Sequence, residues 1–202
     1  WSMECETNYS PLLSSKGFLK FFDLTMTYHL DADVPLPYVH YAFQEELRKP
    51  PQAKVPGNTV NAFISSGVNG SRREEYLQEL MKHIGVHSYG KTMNNRVLSP
   101  DTGRESKLDT LQHYMFTLAF ENAIARDYVT EKFYDPLLAG SVPVYLGAPN
   151  IEDFAPGDHC FINVADFPDP HALAAYLLAV SMDESVYRRL FFWKDNPFRP
   201  AF

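Results

Sequence analysis

The densest run of chemistry-bearing side chains is Phe120-Glu121-Asn122-Ala123-Ile124-Ala125-Arg126-Asp127-Tyr128-Val129-Thr130-Glu131-Lys132. An apolar stretch precedes it and a helical pattern follows, so it occupies a strand-to-helix junction. Polar side chains at such a junction face the ligand crevice of an α/β sheet, and the free amides of a helix N-terminus attract phosphate oxygens. Glu131 and Lys132 fall in the first helical turn. There Lys132 can meet a diphosphate as a point charge, and Glu131 can accept hydrogen bonds from sugar hydroxyls. The plainer alternative is a capped surface helix whose acidic first turn suits the macrodipole. Local physics alone ranks that alternative first. A second cation, Arg73, stands beside Arg72 in another helical pattern, where an exposed position on a solvated face is the plain reading.

These residues need a scaffold, and the apolar pattern supplies one. Residues 59–66 form a short apolar run ending at Gly67, which suits a buried strand. Ser71 is expected to cap the next helix, with Glu74 completing a capping box, Tyr76, Leu77, Leu80 and Met81 on the apolar face, and Gly85 as the stop. Residues 114–120 read as a second strand, followed by a helix that starts near Asp127 or Thr130 and stops before Gly140. Strands are also expected over 141–146 and 160–164, and helices over 171–180 and 186–193. This alternation predicts an α/β fold with a mainly parallel, doubly wound, Rossmann-like sheet. Ligands of such sheets bind at the carboxyl ends of the strands, which puts residues 67–73, 121–132 and 147–150 around one rim. Pro35, Pro37, Pro50 and Pro51 exclude a long helix or a central strand from residues 1–55, and residues 50–58 read as a linker.

Composition narrows the function. Forty-five per cent hydrophobic residues within 202 are enough for a core, so disorder is not the reading. A net charge of -7 argues against a nucleic-acid partner, while leaving room for a local cationic pocket. Cys5 and Cys160 have no metal-ligand spacing and form no disulfide framework, so two separate buried thiols are expected. Asp31-Ala32-Asp33 has the spelling of a metal motif, but it lies in the proline-rich connection and reads as structural. Sequons occur at Asn8-Tyr9-Ser10 and Asn69-Gly70-Ser71. No run reaches the apolar length of a membrane span and no signal pattern opens the chain. The chain opens on Trp1 and closes on Phe202, and it reads as a segment of a longer protein.

Five strings appear in order: Asp31-Ala32-Asp33-Val34-Pro35 with Pro37-Tyr38; Ala119-Phe120-Glu121-Asn122; Tyr128-Val129-Thr130-Glu131-Lys132-Phe133; Leu138-Ala139-Gly140-Ser141-Val142-Pro143-Val144; and Gly147-Ala148-Pro149-Asn150-Ile151. Together they resemble the α-1,3/1,4-fucosyltransferase family, glycosyltransferase family 10, and are most similar to its plant-type members. The resemblance implies the donor-binding half of a GT-B enzyme over residues 56–202, with the end of the acceptor-side domain and the connection over 1–55. It implies inverting transfer of fucose from GDP-fucose to a hydroxyl of a GlcNAc-containing glycan, in α-1,3 or α-1,4 linkage. The implied acceptor is a glycan or glycoprotein. No cofactor or metal is required, and divalent stimulation is left open.

The family's residue roles carry over to matching positions. Arg73 matches the arginine on the donor pyrophosphate, Lys132 the lysine that neutralises the diphosphate, and Glu131 the acid facing the fucose and ribose. Tyr128 and Asn122 match donor-pocket positions. Glu4 matches the acid taken as general base, with Glu6 a second candidate two positions on. Ser66, His29 and His87 depart from the residues common at their positions. The implied location is the Golgi lumen, as part of a type II membrane protein anchored through a segment outside this chain. Rival readings are a non-catalytic nucleotide-sugar-binding module or inactive fragment, a transferase using UDP or ADP donors, and a structural interaction domain.

Overall fold

The computed structural model describes Met3, Cys5 and residues 11–39 and 43–199. Along the chain run α1 (Lys16–Leu19), β1 (Met26–Thr27), β2 (Val34–Pro35), α2 (Phe43–Leu47), β3 (Val60–Ala62), α3 (Arg73–Leu80), β4 (Val86–Ser88), α4 (Arg104–Leu111) and β5 (Phe116–Phe120). After them come α5 (Glu131–Ala139), β6 (Val142–Leu146), β7 (Ile162–Asn163), α6 (Pro170–Met182) and α7 (Glu184–Arg189). Strands β1 and β2 form a small parallel pair. The main sheet has five parallel strands in the order β4-β3-β5-β6-β7, which is the expected α/β architecture.

Strand β5 is the centre, and all five of its residues are buried. Its side chains alternate between faces. Phe116, Leu118 and Phe120 pack with Val60, Leu77, Leu80, Leu173 and Leu177, while Ala119 packs with Phe133, Leu137, Tyr145 and Trp193 on the other side. A strand covered on both faces must be apolar at every position, and Phe-Thr-Leu-Ala-Phe nearly is. The exception is Thr117, whose hydroxyl meets Asn61 Nδ2 at 2.9 Å and Ser141 Oγ at 2.8 Å.

The chain builds outward from β3 to β4, then crosses back to place β5 on the other side of β3. The loops leaving β3 and β5 therefore diverge from adjacent strands, and such a switch point opens a crevice. Helix α5 starts from that crevice. Thr130 is its N-cap, and Gly140 closes it with φ 72, a conformation that favours glycine. A Cβ on Gly140 would also come within 2.9 Å of Pro51 Cα.

Several expectations are corrected. Ser71 does not cap α3: its hydroxyl donates to Glu121 O at 2.6 Å. Arg72 stands at the N-cap with φ 58, and the Asn69 carboxamide oxygen takes up the Glu74 amide instead, at 3.1 Å. The expected strand over 59–66 keeps its ladder only across Val60–Ala62. Strand β4 and helix α4 were not expected, because β4 is a three-residue edge with a histidine at its centre and α4 lacks an apolar stripe. Cys5 and Cys160 are separate buried thiols, as expected, and burial pushes Cys160 up to about 12. Among the described residues no helix is long and apolar enough to cross a membrane.

Two lysines finish helix C-termini whose carbonyls would otherwise be left over. Lys54 Nζ donates to Gln112 O at 2.8 Å, past α4, and to Gly140 O at 2.6 Å, past α5. Lys194 Nζ donates to Leu47 O at the end of α2. Burial lowers both amines to about 8, and the Lys194 charge adds to the effect on Lys54. A lysine whose folded pKa lies below its unfolded value costs stability while protonated, and that cost is relieved as pH climbs from about 8 past 10. Relative to Lys194→Met, the parent is therefore expected to gain on the order of 2 kcal/mol between pH 8 and 10. Urea midpoints of both proteins across that range check this, and a constant difference would mean that the amine titrates as if exposed.

Candidate functional site

Three loops meet at the carboxyl ends of the strands. Ser71 N donates to Asn122 O at 3.0 Å, and Glu121 N donates to Leu146 O at 2.8 Å. Asp127 and Asn150 exchange two bonds, Asp127 N to Asn150 Oδ1 at 3.0 Å and Asn150 Nδ2 to Asp127 Oδ1 at 2.8 Å. Residues 67–73, 121–132 and 147–150 thus form one rim, as expected. The amino-terminal segment closes on it as well. Leu30 N donates to Asp127 Oδ2 at 3.3 Å, His29 Nδ1 lies 3.5 Å from the same oxygen, and the Tyr28 ring packs edge-on against Tyr128 at 5.0 Å.

Arg73 is not on a solvated face. It is 1% exposed, whereas the Arg72 side chain is 82% exposed. Its guanidinium donates to Phe120 O at 3.1 Å, Ser66 O at 2.9 Å and Val68 O at 3.2 Å, bracing the β3 loop against the end of β5. Nε is the guanidinium nitrogen left without a partner. Burial holds Arg73 below the usual arginine value, with Glu121 and Glu74 pulling the other way.

At the junction of β5 and α5, Glu121 is 0% exposed. Its Oε1 accepts from Thr130 N at 2.8 Å, and the Thr130 hydroxyl lies 2.9 and 3.0 Å from its two oxygens. Lys132 Nζ reaches three oxygens: Thr130 Oγ1 at 3.0 Å, Glu131 Oε1 at 3.0 Å and Glu121 Oε2 at 3.4 Å. Burial works to lower the Lys132 pKa, but Glu121 and Glu131 together raise it above the ordinary value. Burial works to raise Glu131, and Lys132 and Lys107 outweigh it, so this carboxyl sits below its usual range. Both groups are therefore charged at neutral pH. Lys132 is 21% exposed and Glu131 46%, which leaves both reachable from the rim.

Asn122 is buried, and its carbonyl anchors Ser71. Tyr128 is buried against Tyr28 and Tyr38, so its ring ties the amino-terminal segment to the rim. Glu4 and Glu6 lie outside the described residues. Asp33 is structural, its carboxylate accepting from Thr25 N at 2.8 Å and Thr25 Oγ1 at 2.7 Å. Asp31 instead joins His29 and Asp127 in a group whose ligand atoms lie within 4.8 Å of one another, although Asn150 and Leu30 already donate to Asp127. Of the departing residues, His87 pairs with Tyr114 and Arg96, and the Ser66 hydroxyl accepts from Val68 N. A cavity of about 1100 Å³ lies at the opposite, amino ends of the strands beside Thr59 and Met115, where Lys54 and Lys194 already serve as helix caps. Sequence reasoning put Asp127 or Thr130 at a helix start and Glu121 in a motif, but it did not foresee the buried contact between Glu121 and Thr130 or the lock between Asp127 and Asn150. The available signal was an acid and a hydroxyl at the two ends of a loop that must close on itself.

Residues 54–200 match the model of the family described as glycosyltransferase family 10 (fucosyltransferase) C-term. A fucosyltransferase-like protein of Arabidopsis thaliana is 36% identical over 194 residues, 96% of this chain and 37% of that protein. The GDP-fucose protein O-fucosyltransferase 3 of Xenopus laevis is 43% identical over 140 residues, 66% of this chain and 30% of that protein. A crystal structure of an α1,3-fucosyltransferase with GDP-fucose superposes with a TM-score of 0.56 and 21% identity, over 73% of this chain and 39% of that one, and shares the fold. The chain thus spans between 30% and 39% of the length of these proteins.

Replacing Arg73 with Ala would leave the buried Phe120 carbonyl and the more exposed carbonyls of Ser66 and Val68 without their donor and empty the space of a fully buried side chain; a buried unpaired group alone costs about 1–3 kcal/mol. Arg73→Ala is expected to destabilise the chain by roughly 3 kcal/mol or more, and Arg72→Ala by less than about 0.5 kcal/mol. Equal midpoints for the two variants in urea would show that the brace carries no stability.

Proposed function

The chain belongs to glycosyltransferase family 10, and from that premise we propose that it is the donor-binding part of a fucosyltransferase that takes fucose from GDP-fucose. We assign residues 56–202 to the donor domain and 1–55 to the end of the acceptor-side domain and the connection. The observation that carries the reading is the placement of Lys132 and Glu131 in the first turn of α5, beside the switch point of the sheet.

In an inverting transfer an acceptor hydroxyl attacks the anomeric carbon from the face opposite GDP, and the diphosphate leaves with added negative charge. Lys132, at the positive N-terminal end of α5, is placed to stabilise that charge. Glu131 accepts hydrogen bonds from sugar hydroxyls. Arg73 adds a fixed positive charge from behind the loop and keeps the loop in place, so its contribution is chiefly preorganisation. The general base is Glu4, with Glu6 its alternative. The proposed acceptor is a GlcNAc-containing glycan, in α-1,3 or α-1,4 linkage, and the proposed location is the Golgi lumen, with membrane attachment through a segment outside this chain. A second reading places fucose on a protein hydroxyl, and the match to a protein O-fucosyltransferase favours it.

Lys132→Ala is expected to lower transfer from GDP-fucose by roughly 100- to 1,000-fold, the usual effect of losing one preorganised contact to developing charge. Assays of the full-length protein with a GlcNAc-terminated glycan and with a folded protein acceptor distinguish the two readings. Donor binding should prefer GDP over UDP and survive EDTA. Transfer within a few-fold of the parent would remove Lys132 from the site. Glu4→Gln should cost roughly 100- to 10,000-fold in transfer while GDP affinity holds. A normal Glu4→Gln beside a dead Glu6→Gln would move the base to Glu6, and two normal variants would place it elsewhere.

A further inference from the structure

Glu121 is a buried carboxylate that the transfer reaction does not use. It is also tightly enclosed: a Cβ on Gly147 would lie 2.7 Å from its Cγ and 2.4 Å from the Tyr145 hydroxyl, so the chain packs directly against it. Among the described residues, Lys132 and Glu131 on α5, Arg73 on α3, Tyr134 on α5 and Tyr145 on β6 are titratable groups that interact with it. The two tyrosines are held well above their ordinary values, by burial first and by Glu121 second, so they stay neutral. Arg73 spends its contacts on backbone carbonyls. Among the described residues, Lys132 is the ion-pair partner within 4 Å of the Glu121 carboxylate.

Lys132 has the freedom that Glu121 lacks. Its ammonium sits between Glu121, with no exposure, and Glu131, nearly half exposed. Turning outward toward an anion at the rim lengthens the inner contact first. A carboxylate without solvent then stays behind without its cation, and burial of that kind favours the protonated form.

We propose that Glu121 is the counter-ion Lys132 surrenders to the donor diphosphate, and that the carboxylate takes up one proton from solvent as it does so. This rests on reading the rim as the GDP-fucose site. The balance is simple: an Oε–H bond forms on Glu121, the proton comes from water or buffer acid, and Lys132 keeps all three of its protons. Glu121 acts through Lys132 and does not touch the donor, so it is a positioning residue. Burial already holds it above the ordinary carboxylate range against the opposing pull of Lys132 and Thr130. Binding that takes up a proton weakens as pH rises, by up to tenfold per pH unit, across the interval between the free and the bound pKa.

The test is calorimetry of GDP-fucose binding to the full-length protein at pH 7 in buffers of different ionisation enthalpy. This donor's diphosphate has no group titrating near neutrality. The parent should take up a substantial fraction of a proton, and its affinity should fall several-fold from pH 6 to 8. Glu121→Gln should bind with no uptake and a flat profile. Binding by the parent without uptake, or equal uptake by Glu121→Gln, overturns this inference and leaves the functional reading intact. Failure of the parent to bind overturns both. Should the variant not fold, the pH series of the parent decides: a flat affinity overturns the inference, and a decline matching the calorimetric uptake supports it.

Discussion

A carboxylate with no solvent exposure sits where the central strand hands over to α5, and an amide, a hydroxyl and an ammonium converge on it. Desolvating such a group costs several kcal/mol unless its partners are positioned well, so the surrounding chain is constrained in detail. Thr130 must present both its amide and its hydroxyl inward while also capping the helix. Residue 147 must be glycine, because a side chain there would occupy the space of Glu121 and Tyr145. Lys132 must then lie within reach of the same carboxylate. The placement of a cation in the first turn of α5 is thus a by-product of burying an acid beneath it.

Around this centre the rim is held by bonds between chain segments far apart in sequence. Arg73 spans the β3 loop and the end of β5, Ser71 joins the β5 loop, and Asp127 and Asn150 lock the loops after β5 and β6. Leu30, His29 and Tyr28 bring the amino-terminal segment onto Asp127 and Tyr128. Residues assigned to the acceptor side therefore touch the loop that leads into Lys132.

The parts legible in the sequence were those whose cause is local. The apolar run of β5, the Thr130 start and the Gly140 stop of α5 each follow from neighbouring residues, and each is where the pattern put it. Strand β4 was missed because Val86-His87-Ser88 breaks the apolar run at its middle residue. Helix α4 was missed because Leu108 and Leu111 are all it offers a core. Ser71 and Glu74 spell a capping box, yet the hydroxyl is worth more as a cross-loop tie to Glu121, and Asn69 takes over the cap. The burial of Arg73 was out of reach for a different reason. Three carbonyls converge on it, one of them 47 residues away, and no local pattern records that convergence.

The stretch that reads as a loose proline-rich crossing is fastened along its length. Arg48 holds Lys194 O and Asn196 O, Lys54 holds Gln112 O and Gly140 O, Val55 N meets His113 O, and Asn58 O receives Met115 N. In mechanical terms it is a bracket bolted to the sheet domain at four points, not a tether. Load carried along it passes into the ends of α4 and α5 and into the root of β5. Residues 48–58 therefore belong mechanically to the sheet domain.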